Sequence, residues 1–221
     1  MFQKRKSLLL FLLPGLSLLM VFYVIPFVGG IRHSATDGSF QNNFVGFRNY
    51  QQLWQNSMFL LGMKNTMELS LICAPLLWVL SFGLAMALNA IKPFGGFLRS
   101  AALLPYLAPS SAMLLVWLVF FDYGGPLNRL MAALGLERIM WLNSAAMRTP
   151  VILMFLWKNL GFCVIVFLAA LQSVPQPLYE YASLDGAGFL TRAFRITLPL
   201  ITPSAFLVLV VAWINAFKIF K

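Results

Sequence analysis

Apolar residues along this chain neither alternate nor keep to one face of a turn; they run on for about twenty positions at a time. Such runs cover Leu8 to Val28, Met67 to Leu88, Ala101 to Phe121, Pro150 to Leu171 and Leu198 to Phe217. About 20 apolar residues in a helix reach across the hydrocarbon of a bilayer. Lipid offers no partner to a backbone N–H or C=O, so each run must satisfy its own backbone. Their length and continuity fit helices rather than the alternating strands of a barrel. The pattern predicts an all-α, polytopic transmembrane helical bundle with five spans, forming a single transmembrane domain over residues 1–221.

Composition sharpens this picture. Of 221 residues, 61% are apolar and 10% charged, where soluble domains hold roughly 45 to 50% apolar residues. The net charge of +10 does not point to nucleic acid, because the basic residues are scattered between apolar runs and read as charges flanking spans. Cys73 and Cys163 both lie inside apolar runs and His33 is the single histidine, so neither a disulfide framework nor a metal centre is expected. The first run follows Lys4, Arg5 and Lys6 and exceeds the apolar length of a signal peptide, so it is expected to be a retained anchor. Basic residues are otherwise balanced between the two sides. The cluster against the first span favours a cytoplasmic N-terminus, and parity then places the segment between spans four and five on the cytoplasmic side as well.

The connections differ in character. Arg32 to Asn65 is polar, with Asp37-Gly38 and several aromatics, and reads as an ordered outer loop. Asn89 to Ser100 is a short turn, and Leu127 to Leu136 is apolar at helical spacing, as in a short surface helix. Residues 173–199 carry more than a connection needs. Pro177 can open a helix, Gly186 and Gly188 can end it with φ above zero, and a second helix with Phe189, Ala193 and Ile196 on one face runs until Pro199 stops it. On physical grounds alone, such a pair of helices with a glycine elbow could rest on lipid headgroups, with Arg192 and Arg195 facing anionic lipid.

Glu180, Ala182, Asp185, Gly186, Ala187, Phe194, Ile196, Leu198 and Pro199 fall on the places of a longer pattern: E-A-A, two residues, D-G-A, then F, I and L-P. With them the segment resembles the conserved cytoplasmic loop of the membrane subunits of ABC importers, in the carbohydrate-uptake branch. Tyr181 stands where that pattern has its first alanine. Phe44 to Tyr50, Asn65-Thr66, Leu103-Leu104-Pro105 and Leu168 to Pro175 fit the same branch.

The resemblance implies a permease subunit that imports a sugar or related polyol. Its implied partners are a second homologous permease subunit, two cytoplasmic ATPase subunits and an extracytoplasmic solute-binding protein, in a bacterial-type plasma membrane. It also implies a sixth helix beyond the fifth span, which this chain does not include. In the loop, Glu180 would be the charged contact, Gly186 the bend, and Leu178, Ala182, Leu184 and Ala187 the packing face. Asp185 would cap the second helix or pair with Arg192. No Gly-x-x-x-x-Gly-Lys-Ser/Thr phosphate loop occurs, so ATP and Mg are expected to be bound by the partner ATPase, with no cofactor in this chain.

Two polar residues lie at membrane depth in the fourth run. Lys158, with Asn159 beside it, should not face lipid, because a basic residue at the helix centre costs about 2.5 to 3.5 kcal/mol. Substrate contact or a gate is the functional reading; for Lys158 the structural one is a tether to a carbonyl or to a partner subunit's acid, and for Asn159, as for Gln172 and Asn215, it is a hydrogen bond between helices. Trp78, Trp117, Trp141, Trp157 and Trp213 read first as belt or packing residues and second as stacking platforms for a sugar. Pro105 and Pro109 should bend span three. A secondary transporter is a rival reading, but the acids Asp37, Glu68, Asp122, Glu137, Glu180 and Asp185 all fall in loops or near span ends. No His cluster, carboxylate pair or Ser/His arrangement lies within a span, so no catalytic residue is expected. A structural membrane protein without transport activity is the remaining alternative.

Overall fold

The computed structural model describes residues 2–39, 41–90, 95–143 and 145–219, without the side chains of 2–10, 90, 95–99 and 145. Lys92 and Lys221, and the side chains of Lys4, Arg5, Lys6 and Arg99, therefore lie outside the described residues. The chain divides into two compact units, Met1–Met63 and Lys64–Lys221. Among the described residues the regular structure is helical, apart from an isolated bridge between Thr36 and Phe44.

In the first unit, α1 (Phe2–Leu19), a π-helical turn (Met20–Val24) and α2 (Ile25–Ser34) follow one another. Phe11–Ser34 is long and apolar enough to cross a membrane. The polar loop that follows holds itself together with its own hydrogen bonds among the described residues. Asp37 accepts hydrogen bonds from the Ser39 hydroxyl (2.7 Å), the Ser39 N–H (3.0 Å) and the Asn43 amide (3.1 Å). Led by the Ser39 hydroxyl, these hold its carboxyl below the usual carboxylate range. Asn49, in α3 (Arg48–Gln55), donates to the carbonyls of Ser34 (2.9 Å) and Thr36 (2.8 Å). The orphan acceptors at the end of α2 are thereby partly satisfied.

The second unit takes in most of α4 (Ser57–Ala90), followed by α5 (Gly95–Leu107), α6 (Ser110–Phe120) and the short α7 (Pro126–Ala133). The long α8 (Arg148–Gln172), a helical hairpin and α12 (Thr202–Phe217) complete it. Contacts fix how the helices run. Glu68 on α4 pairs with Arg148 at the start of α8 at 2.6 Å, and further along both helices Trp78 and Phe82 meet Phe167 at centroid distances of 5.7 and 5.5 Å. Both helices advance together, so α4 and α8 are parallel. Asn159 on α8 meets Asn215 on α12 at 3.0 Å, whereas Trp78, beside the later Phe167, donates to the earlier Ala205 carbonyl at 2.8 Å. Helix α12 is therefore antiparallel to α8, the directions required if these runs are spans two, four and five.

The shared core interleaves small and medium side chains, Cys73, Ala74 and Ala85 on α4, Cys163 and Val164 on α8, Val208 and Ala212 on α12, with the larger Leu77, Phe155 and Phe167, all buried. Lipid is as apolar as these side chains, so association rests on close packing rather than on removal from water. The closest approach is between α5 and α8. A β-carbon on Gly161 would overlap the backbone carbonyl of Ala102, and next to it Tyr106 and Phe162 stack at 4.9 Å.

Two expected spans are broken. Span three passes through Pro105 undisturbed and breaks at Ala108 and Pro109, with α5 and α6 meeting at 96°. Pro109 is extended (ψ 128°) and sits before the first turn of α6, which is where a proline breaks a helix, since the residue before it is pushed out of the α region. Span five does not begin at Leu198: residues up to Leu200 belong to the hairpin, the chain turns by 85° at Ile201, and α12 starts at Thr202. Among the described residues three helices are long and apolar enough to cross a membrane, and up to five spans result if each bent pair counts as one.

The close approach at Gly161 predicts that Gly161→Val separates α5 from α8 and destabilises the bundle by about 1 to 3 kcal/mol, the usual cost of overpacking. Gly83→Ala, on α4 where nothing lies within 4 Å of the added carbon, should be nearly silent. Thermal unfolding of the two purified variants in the same detergent distinguishes them; equal transitions would show that the contact does not matter.

Candidate functional site

The first candidate is the hairpin between α8 and α12. Its first arm, α9 (Gln176–Leu184), opens with Pro177 in its first turn, where a missing N–H costs nothing. It ends on Gly186, whose φ of +73° is open to glycine at no steric cost. The Ala187 N–H bonds the Ala182 carbonyl (2.9 Å) and the Gly186 N–H bonds the Ser183 carbonyl (3.1 Å), the pair of bonds that closes a helix onto a left-handed glycine. Gly188 does not share this role. It is extended at φ −68°, ψ 170°, and serves as the N-cap of α10 (Phe189–Arg192) without a side-chain cap.

A π-helical turn (Ala193–Thr197) follows, and then α11 (Leu198–Leu200). Pro199 does not stop the helix as its chemistry suggests. The π turn displaces the amide pairing by one residue, and Pro199 falls in the first turn of α11, where no N–H is required. The buried Thr197 hydroxyl bonds the Arg192 carbonyl (3.1 Å) and shares a hydrogen bond of 2.9 Å with the Tyr179 hydroxyl on α9. This bond ties the two arms together across the elbow.

The expected loop residues sort into two groups. Ala182 is buried against its own chain, and Ala187, Ile196 and Leu198 are half-buried. Glu180, Asp185, Phe194 and Pro199 are exposed. The expected packing face is therefore split: Ala182 and Ala187 face inward, while Leu178 and Leu184 face out, Leu184 at 83% exposure. Tyr181 is also outward at 66%, so its ring crowds no neighbour within the chain. With Phe189, Leu190 and Phe194 it leaves the hairpin covered with exposed apolar side chains. Asp185 does not cap the second helix: it is the C-cap of α9, Gly188 is the N-cap of α10, and among the described residues Asp185 forms no ion pair with Arg192.

The second candidate is a cavity of about 600 Å³ bounded by α6, α8 and the end of α12. Lys158 and Asn159, singled out by depth, both line it, together with Ser110, Ser111, Asn215 and Lys218. The Lys158 ammonium donates to the Ser110 hydroxyl, and so is tethered to a side chain rather than to a carbonyl. Asn159 donates to the Phe155 carbonyl (2.8 Å) and accepts from Asn215 (3.0 Å). Trp157 forms part of the apolar wall and meets Trp117 edge to face at 5.9 Å.

Trp78, Trp141 and Trp213 also have structural partners, Trp213 stacking on Phe217 at 6.0 Å. The Trp78 N–H is held by Ala205, and the Trp141 N–H by the buried Asn128 at 3.3 Å. Sequence reading missed Ser110, Ser111 and Lys218. The two serines interrupt an apolar run directly after Pro109, which is a readable sign of a helix start. Lys218 looks like a flanking charge until the antiparallel course of α12 brings it to the cavity.

A helical bundle with broken spans, a largely apolar cavity carrying a few polar groups among its helices, and a hairpin projecting between two of them fit a membrane-embedded transport component. The profile of the family described as the binding-protein-dependent transport system inner membrane component matches residues 79–220, and the chain belongs to that family. It is 38% identical over 181 residues to the sulfoquinovosyl glycerol transport system permease protein SmoG of Agrobacterium fabrum, covering 80% of this chain and 58% of that protein. It is 32% identical to the diacetylchitobiose uptake system permease protein NgcF of Streptomyces coelicolor, over 98% of this chain and 67% of that one. The same identity relates it to the sn-glycerol-3-phosphate transport system permease protein UgpA of Yersinia pestis, over 94% and 72%. Among solved structures, a chain of a bacterial ABC transporter involved in the import of the acidic polysaccharide alginate superposes with a TM-score of 0.81 and 28% identity, over 95% of this chain and 73% of that one. The chain thus spans 58 to 73% of the length of these relatives.

Proposed function

We propose that this chain forms half of the translocation pathway of an ATP-driven importer for a sugar or related polyol, and that it receives mechanical work through the hairpin of residues 173–199. The relatives named above support the cargo class, and the diacetylchitobiose uptake system and the alginate import transporter among them support the direction. In this reading the chain sits in a bacterial-type inner membrane with a cytoplasmic N-terminus, beside a second homologous permease subunit. Two ATPase subunits lie beneath the pair, and an extracytoplasmic solute-binding protein delivers cargo from above. ATP and Mg belong to the ATPase, because the chain has no phosphate loop of its own.

The observation that carries this proposal is the hairpin's shape. It is short, pinned by the Gly186 turn and the Tyr179 to Thr197 hydrogen bond, and continuous with α8 on one side and, through Ile201, with α12 on the other. Exposed apolar side chains on such an element fit a groove in a neighbouring protein better than they fit water. Leu184, Tyr181, Phe189 and Phe194 supply that surface, and Glu180 supplies the charge at its edge. When the ATPase subunits close, a rigid knob moves as a unit and carries the attached helices with it, which is a hinge transition of the usual kind.

Two variants test this. Glu180→Arg combined with Gly186→Pro, which removes a positive φ that proline cannot adopt, should abolish uptake and ATPase co-purification while the subunit still inserts; normal uptake with normal association would refute the coupling role. Tyr179→Phe is milder. It removes one hydrogen bond but leaves Thr197 its bond to Arg192, so it should loosen the elbow by about 1 kcal/mol. In proteoliposomes ATP turnover should persist while cargo moved per ATP falls about fivefold, the ratio that this energy represents. An unchanged ratio would mean that stiffness of the elbow is irrelevant to coupling.

A further inference from the structure

The cavity between α6, α8 and α12 has a one-sided charge. Two ammonium groups, Lys158 and Lys218, line it, and no carboxylate is among its described lining residues. The rest of its polar wall is neutral: Ser110, Ser111 and the Asn159–Asn215 pair. Lys158 lies within α8, the helix that packs centrally in the bundle, and its only partner among the described residues is the Ser110 hydroxyl. An ammonium carries three donors and no acceptor, so one bond to a neutral hydroxyl leaves two N–H groups and the positive charge without a protein partner among the described residues. A cation inside a membrane protein is normally balanced by an acid or marks a ligand path, and the acids of this unit lie elsewhere, Glu68 being occupied by Arg148 and Lys64.

We infer that this cavity selects a sugar or polyol bearing an anionic group, a carboxylate, sulfonate or phosphate, which Lys158 receives while the asparagine pair and the serines meet hydroxyls. The inference rests on the transport reading above and narrows its cargo. Lys158 is the charge at depth; Lys218, just past the C-terminus of α12, adds attraction at the rim. The volume of about 600 Å³ lies within the range of pockets that enclose small ligands, roughly 300 to 1,000 Å³. An anionic lipid headgroup offers the same phosphate chemistry, so lipid composition belongs in the test.

The test uses the assembled importer in nanodiscs of neutral phosphatidylcholine, without binding protein, so that only the membrane site is read. Equilibrium binding is measured for two matched pairs of probes: cellobiouronic acid against cellobiose, and sn-glycerol 3-phosphate against glycerol. At least one acidic probe should bind about tenfold or more tightly than its neutral match, and the preference should shrink as salt is raised. Lys158→Gln should erase the gap and Lys158→Arg should keep most of it.

Equal binding within both pairs overturns the inference, as does a gap that survives Lys158→Gln. A gap that phosphatidylglycerol in the nanodisc competes away assigns the cavity to lipid and overturns it too. If Lys158→Gln does not assemble, the wild-type preference and its salt dependence decide alone. ATPase co-purification is read on the same samples: a complex that holds its ATPase yet shows no acid preference sinks the cargo inference only, whereas acid preference in a chain that recruits no ATPase sinks the coupling reading only.

Discussion

In hydrocarbon, an apolar helix gains nothing from touching another apolar helix rather than lipid, so what holds α8 in place is how closely its neighbours can come. Gly161 lets the backbone of α5 lie directly on α8, and the small side chains at Cys163, Ala205 and Ala212 allow similar proximity elsewhere in the core. Larger groups then act as keys. Trp78 fills the space between three helices, stacking on Phe82, meeting Phe167 edge on and giving its N–H to the Ala205 carbonyl. Because these contacts set the registers of α4, α8 and α12, they also determine which polar groups meet at the cavity.

The spans were legible where lipid imposes a single rule on every position. Met67 to Leu88 and Pro150 to Leu171 lie within α4 and α8, since a helix exposed to hydrocarbon must be apolar along its length. The elbow was legible for a different reason: a left-handed glycine after a proline-led helix is local chemistry, and Gly186 behaves as that chemistry requires. What local pattern does not reveal is pairing at a distance. Tyr179 and Thr197 are ordinary residues 18 positions apart, and nothing in either neighbourhood predicts their bond. Helical period places Ala182 and Leu184 on the hairpin but not which of them turns inward. The break in span three falls at Pro109 rather than Pro105 because Pro105 remains within an unbroken α5 while the chain at Ala108 leaves the helical region. Either proline is chemically able to do this, and only packing of α5 against α8 chooses.

The hairpin and the cavity are joined by the same two helices. Helix α8 leads into α9 at one end and carries Lys158 and Asn159 further back; α12 leaves the hairpin at Ile201 and carries Asn215 near its far end. The pair is thus clamped near one end by the elbow and near the other by an amide–amide hydrogen bond. Between these points Val164, Phe167 and Val208 are fully buried, and close-packed interiors shift between discrete arrangements rather than deforming smoothly. A rotation of α12 against α8 imposed at the elbow would therefore reach the Asn159–Asn215 contact with little loss.

That geometry explains why polar groups are tolerated at depth on these two helices. An asparagine pair within a span adds modest stability, about 0.6 kcal/mol on average for such interhelical bonds, and an apolar pair would hold the helices comparably well. A lysine whose partner among the described residues is a serine is a worse choice for stability than a leucine. Residues that do not repay their cost in the isolated fold point to a state in which they do. Under the transport reading that state is the loaded cavity, in which the ammonium has an anion to neutralise and the amides have hydroxyls to bind. Because α8 and α12 carry both the cavity side chains and the hairpin, a cargo held there would, under that reading, act on the same two helices that the hairpin moves.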